Sequence, residues 1–71
     1  MRHSVMREIN AHEVFESLRA GNQIYMISPK DKPDVLDMNT WNVNKMALAT
    51  YLARMKHERQ VMLLEISWQE E

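Results

Sequence analysis

The chain has 71 residues, a formal net charge of -1 at pH 7 and no cysteine. A chain of this length forms one small domain, predicted over residues 1–71, and buries only about 60% of the surface that its unfolded form exposes. The near-zero charge excludes a bulk attraction to nucleic acid or to an anionic membrane, and the lack of cysteine excludes disulfides, a thiolate nucleophile and a finger-type zinc site.

No apolar run approaches the roughly 20 residues needed to cross a bilayer, and the N-terminus lacks the continuous apolar segment of a signal peptide. The sequence therefore predicts a soluble, cytoplasmic protein. Residues 1–5 precede the first patterned segment, and we expect them to form a mobile N-terminal extension.

The first predicted helix covers residues 10–20. Asn10 can accept hydrogen bonds from the free amides of the first turn, while the Glu13 side chain can reach back to the Asn10 amide. Gly21, the only glycine in the chain, ends the helix because it adopts a left-handed conformation at little cost. The apolar residues recur at the spacing of a single helix face: Ala11, Val14, Phe15 and Leu18.

A strand is predicted over residues 23–28, where β-branched and aromatic side chains are concentrated. Pro29 and Pro33 place the following residues in a loop. Residues 35–38 are short enough to be either a second strand or part of that loop, and the hairpin is favoured because apolar residues return after the turn.

A long helix is predicted over residues 43–56, ending near His57, with its start left open among three possible caps: Asn39, Thr40 and Asn42. Its apolar residues are not confined to one stripe, since a second set occupies much of the side opposite the main face. One sheet in a chain this small cannot cover both sides, so a partner is expected to cover one of them. The alternative is that alanine and methionine are tolerated at half-exposed positions.

The last strand is predicted over residues 61–68, followed by a charged tail. Alternation places four large side chains on one face: Met62, Leu64, Ile66 and Trp68. Val61 and Leu63 begin the other face, which then turns polar. Two apolar faces indicate cover on both sides, although Val61 and Leu63 can also be accounted for by an overlying loop.

The element order is therefore helix, strand, strand, helix, strand. We predict an α+β fold, a small two-layer sandwich with two helices on one face of a three-stranded, mainly antiparallel sheet. The other face of that sheet is expected to be open.

Catalytic and metal-binding constellations are missing from the sequence. His12 and Glu16 lie one turn apart, but two ligands are too few for a structural metal site, and the other histidines, His3 and His57, lie elsewhere. No serine or threonine occupies a strained elbow or a glycine-rich turn. We therefore expect no enzyme activity, no cofactor and no metal.

The leading functional hypothesis is a small non-enzymatic protein-interaction module, a homodimer or a binder of another protein, of the kind common among bacterial and phage accessory proteins. The candidate interface combines aromatic residues with the surplus apolar positions of the long helix and last strand: Trp41, Met46, Leu48, Tyr51, Val61, Leu63, Trp68 and Tyr25. A phage-encoded inhibitor of a host or defence protein would use the same surface.

A second hypothesis is a nucleic-acid-binding regulator that uses basic residues at the end of the long helix. The candidate phosphate contacts are Arg54, Lys56, His57 and Arg59. The alternative explanation is that these cations meet the negative end of the helix dipole.

Overall fold

The computed structural model describes residues 1–36 and 44–70. A 3₁₀ turn at Ala11–Glu13 precedes the first helix. The strands and helices follow in this order: β1 (Arg2–Glu8), α1 (Val14–Arg19), β2 (Gln23–Ile27), β3 (Asp34–Leu36), α2 (Lys45–Arg59) and β4 (Met62–Glu70).

The four strands form one sheet in the order β1-β4-β2-β3, and every pairing is antiparallel. Two strands that each pair antiparallel with the same neighbour run parallel to one another. β1 and β2 lie on either side of β4 and are therefore parallel, and α1 connects them. β3 and β4 lie on either side of β2 and are also parallel, and α2 connects them. Right-handed crossovers of these two units place both helices on the same side of the sheet.

The core lies between this helical layer and one face of the sheet. Both helices contribute to it, with Val14 and Leu18 from α1 and Leu48 and Leu52 from α2. The remaining buried apolar residues come from the strands and their ends: Ile9, Ile24, Met26, Leu36, Val61 and Leu63. A continuous core of this kind accounts for the stability of helices that are too short to persist alone.

The predicted α+β class with two helices and an antiparallel sheet is confirmed, but the sheet has four strands instead of three. The additional strand is β1, which pairs with β4 from Arg2 opposite Glu70 to Glu8 opposite Leu64. The expected mobile extension over residues 1–5 is corrected accordingly. Only Val5 of this strand is half-buried and the other residues are exposed, so the strand carries no apolar pattern that the sequence could reveal.

Local signals at the two ends of the first helix agree with the structure more closely. The Glu13 carboxylate accepts from the Asn10 amide at 3.1 Å, and Gly21 has a φ of 89° directly after the first helix. The cap of α2 was not identified from the sequence. It is Asn44, whose side chain accepts from the amide of Ala47 at 2.8 Å. The caps proposed at residues 39, 40 and 42, together with Val43, lie outside the described residues.

Helix α2 ends close to the predicted position near His57. It continues past His57 to Arg59, and Gln60 then takes the left-handed conformation with a φ of 55°. Strand β4 likewise extends through Gln69 to Glu70, because β1 provides a pairing partner for residues expected to form a tail.

Candidate functional site

The register of β4 decides which of its apolar faces lies in the core. Val61, Leu63 and Glu65 are buried against the helices. The even-numbered residues of the strand therefore point away from both helices, because successive side chains of a strand alternate between the two faces. Among the described residues, neither helix lies against this second face.

Apolar side chains from all four strands meet on that uncovered side. Directly paired residues share a face, so Met6 joins Ile66, Tyr25 joins Leu64, and the neighbouring pairs follow the same rule. We call this surface the open face, defined by eight residues: Met6, Tyr25, Ile27, Val35, Met62, Leu64, Ile66 and Trp68.

The open face is accessible as well as apolar. Met6 is 64% exposed and Trp68 53%, and Val35 and Met62 are also exposed. The other four members are half-buried by their neighbours in the sheet. The largest contiguous apolar patch on a small protein is often functional, so the open face is the candidate interaction site.

Charges at the edge of the open face are nearly balanced. The Arg2 guanidinium lies 5.4 Å from the ring centre of Trp68, and its Nε is 3.4 Å from Oε1 of Glu70. Glu8 and Gln23 lie elsewhere on the rim and are exposed. The surface therefore has an apolar centre and a polar rim without a field of one sign, which is the usual anatomy of a protein interface.

A buried polar network supports the sheet from the helical side. Glu65, only 6% exposed, accepts from the Ser17 hydroxyl at 2.5 Å and from Arg7 Nε at 2.9 Å. The Asn22 side chain donates to the Ser17 oxygen at 3.3 Å. The network ties β1 and α1 to β4, and every buried side-chain polar atom in the described part of the chain has a partner.

Arg7 also links this network to the start of the first helix, where it lies 3.5 Å from Glu13. The hydrogen bond to Glu65, followed by the charge of that carboxylate, raises the pKa of Arg7 above its ordinary value. The hydrogen bond from the Asn10 amide, assisted by the charge of Arg7, lowers the pKa of Glu13.

These contacts predict a loss of stability in acid. Because the pKa of Glu13 in the folded protein lies below its ordinary value of 4.5, its contribution is present at neutral pH and is lost as the pH falls through the folded value. We expect Glu13→Gln to lower the free energy of unfolding near neutral pH, and the difference from wild type to shrink as the pH falls below 4.5. Denaturant titrations at neutral pH and at a series of pH values below 4.5 measure this difference, with Glu16→Gln as the control for loss of an exposed carboxylate. A gap of constant size would contradict the prediction.

The eight candidate interface residues named in the sequence analysis do not lie on one surface. Tyr25 and Trp68 lie on the open face. Met46 is 78% exposed on the outer side of α2, and Tyr51 is half-buried on the same helix. Trp41 lies outside the described residues. The other three lie in the core, because the register of β4 and the buried stripe of α2 turn them inward: Leu48, Val61 and Leu63.

Sequence reasoning missed six members of the open face. Three of them, Met62, Leu64 and Ile66, were recognised as sharing a face with Trp68, but that face was not assigned to the interface. Met6 was missed because β1 itself was not predicted. Ile27 and Val35 carry no distinguishing signal, since isolated apolar residues on strands are usually core.

The candidate phosphate contacts do not form one surface. At about 100° of rotation per residue, Arg54, Lys56, His57 and Arg59 point in different directions around α2. Arg54 also lies 3.6 Å from Glu58. A cleft of about 390 Å³ beside the helix end is lined by both Lys30 and Asp31, so its charge is mixed.

No group of three or more histidine, aspartate or glutamate residues clusters at metal-binding distance within the described parts of the chain. Neither of the two described helices is long and apolar enough to cross a membrane. Comparison with protein-family models, curated proteins and solved structures finds no significant match. Functional inference therefore depends on the geometry of the chain itself.

Proposed function

We propose that the protein is a small non-enzymatic interaction module that forms a homodimer by packing the open faces of two copies against each other. The observation that carries this proposal is the set of eight apolar side chains on the sheet face opposite the helices. Two sheets packed face to face lie about 10 Å apart and would bury these side chains as a second core.

The size of the open face suits a dimer. The strands contain seven, five, three and nine residues. Each residue covers about 16 Å² at a strand spacing of about 4.8 Å and a rise of about 3.4 Å, which gives a flat footprint of about 390 Å². Side chains that project from the sheet have more accessible area than this flat value, which brings the buried area toward the roughly 800 Å² that each partner buries in a typical stable interface.

The chemistry of the face favours a second copy over a strongly charged partner. Arg2 and Glu70 neutralise each other, so the rim offers little net charge for a basic or acidic surface to recognise. A two-fold axis requires only that a patch be complementary to itself, which an apolar centre with a balanced rim satisfies. Tyr25 and Trp68 supply the large aromatic contacts that dominate the energetics of such interfaces.

A matched pair of methionine substitutions tests the proposal. Met62→Glu places a carboxylate on the open face, whereas Met46→Glu makes the same chemical change on the outer side of α2. We expect wild type and Met46→Glu to be dimers at micromolar concentration, and Met62→Glu to be a monomer, because the substitution buries unpaired charge in the contact. Light scattering on a sizing column gives the masses.

Two results would overturn the homodimer. One is a monomeric wild type at near-millimolar concentration. The other is a dimer that survives both Met62→Glu and Ile66→Glu at micromolar concentration. Ile66 lies beside Met6 and Gln23 near the middle of the face. Circular dichroism and thermal unfolding of each variant separate loss of assembly from loss of folding.

A further inference from the structure

Strand β1 leaves one row of backbone groups without a partner in the sheet. It occupies the end of the strand order, and the Ile9 amide donates to the Leu63 carbonyl at 3.0 Å. Hydrogen-bonded pairs in an antiparallel ladder recur every second residue. The odd-numbered residues of β1 therefore face β4, and the amides and carbonyls of the even-numbered residues point outward: Arg2, Ser4, Met6 and Glu8.

This edge lacks the short length, the proline and the bulge that commonly prevent edge-to-edge pairing. β1 has seven residues in continuous register with β4, without a proline or a bulge. Its charged residue on the helical side, Arg7, is bound to Glu65. The opposite edge differs, since β3 has only three residues.

We propose that the outer edge of β1 binds β1 of a second copy in antiparallel orientation, making one continuous eight-stranded sheet. The two-fold axis passes midway between the Val5 residues of the two copies, which are the middle residues of the strands, so that all seven residues are paired. In this register the two β1 strands would exchange about eight backbone hydrogen bonds.

The arrangement of charge along β1 selects this register. Arg2 and Glu8 lie on the same side of the strand, each three residues from Val5 and of opposite sign. Symmetric pairing places Arg2 opposite Glu8 of the second copy, and the two-fold axis repeats the contact. A slip by two residues would remove both contacts, and parallel pairing in register would place like charges together.

The edge contact goes beyond the proposed dimer and does not depend on it. Its two-fold axis is perpendicular to the sheet, so the open faces of both copies stay available. It buries less surface than face-to-face packing, and we therefore expect it to form at higher concentration, within the class of small, weak interfaces.

A proline substitution tests the edge without damaging the fold. Ser4→Pro removes an amide that points outward, and a proline is tolerated on an edge strand when its missing donor faces solvent. In the Met62→Glu background, which lacks the face contact, we expect dimers at near-millimolar concentration that Ser4→Pro abolishes and Ser4→Ala preserves. Sedimentation velocity measures the masses, and thermal unfolding shows that the Ser4→Pro chain is folded.

A charge exchange in the same background tests the register. Arg2→Glu and Glu8→Arg each place like charges opposite one another in the symmetric pair, so each alone should dimerise at least about tenfold more weakly. Their equimolar mixture restores opposite charges and should recover the dimer. Arg2 contacts Glu70 within its own chain, and Glu8→Arg, which leaves that contact intact, is the cleaner single variant.

The edge proposal is overturned if Met62→Glu remains monomeric at near-millimolar concentration, or if the mixture assembles no better than its components. Failure of the face contact gives a different result. Met62→Glu and Met46→Glu would then have the same mass at every concentration, and Ser4→Pro would still reduce the mass observed at near-millimolar concentration.

Discussion

Leu63→Ala should lower the free energy of unfolding by about 2 to 5 kcal/mol, the range observed when a fully buried leucine is truncated. Leu63 is completely inaccessible, and a 71-residue domain has a total stability of only about 4 to 10 kcal/mol. Leu64→Ala, one residue away, should cost far less within a single chain, because Leu64 lies half-buried on the open face. Its main effect should be weaker dimerisation.

Chemical denaturation of both variants at two protein concentrations separates these effects. Leu63→Ala should be destabilised by a similar amount at both concentrations, since the cavity lies inside one chain. Leu64→Ala should approach wild-type stability at the lower concentration, where dimerisation contributes little. Equal losses for the two leucines at the lower concentration would show that the register of β4 is not the one described.

This pair of leucines also shows where sequence reasoning stops. Alternation along β4 correctly separates two apolar faces, but it cannot say which of them meets the helices. The core face has a carboxylate at Glu65, which makes it look like the solvent side of the strand. Only the contacts of Glu65 with Ser17 and Arg7 explain its burial, and those residues lie far away in the sequence.

Elements governed by neighbouring residues were predictable. Glu13 reaches back to Asn10 as its spacing indicates, and Gly21 takes the left-handed conformation expected of the only glycine after a helix. Strand β1 was not predictable in this way. Its pairing with β4 joins the two ends of the described chain, and its mostly exposed side chains leave no periodic signal.

The candidate surface follows from that missing strand. With three strands, the sheet would present its apolar face beside an exposed edge at β4. With β1 in place, β4 becomes a central strand, Met6 extends the open face and the free edge moves outward to β1. The long-range pairing thus determines both surfaces at which we place a second copy.

Arg7→Met should destabilise the chain more than the loss of an exposed surface ion pair does, because it leaves the buried Glu65 carboxylate without its counter-charge. Breaking a fully buried ion pair typically costs about 3 to 5 kcal/mol. The Arg7 side chain is 54% exposed, so water partly compensates and the expected cost is smaller. The Ser17 hydroxyl still donates to Glu65, which limits the loss further.

The double variant Arg7→Met/Glu65→Met should recover stability relative to Arg7→Met alone, since it removes the unpaired buried charge and places apolar side chains beside the core. Arg54→Met is the matched control. Arg54 pairs with Glu58 at 3.6 Å on the exposed side of α2, where an ion pair contributes about 0.5 kcal/mol or less. Denaturant titrations of the four proteins complete the comparison. Equal costs for Arg7→Met and Arg54→Met would mean that the burial of Glu65 does not depend on Arg7 and that the Ser17 hydroxyl is sufficient to compensate this carboxylate.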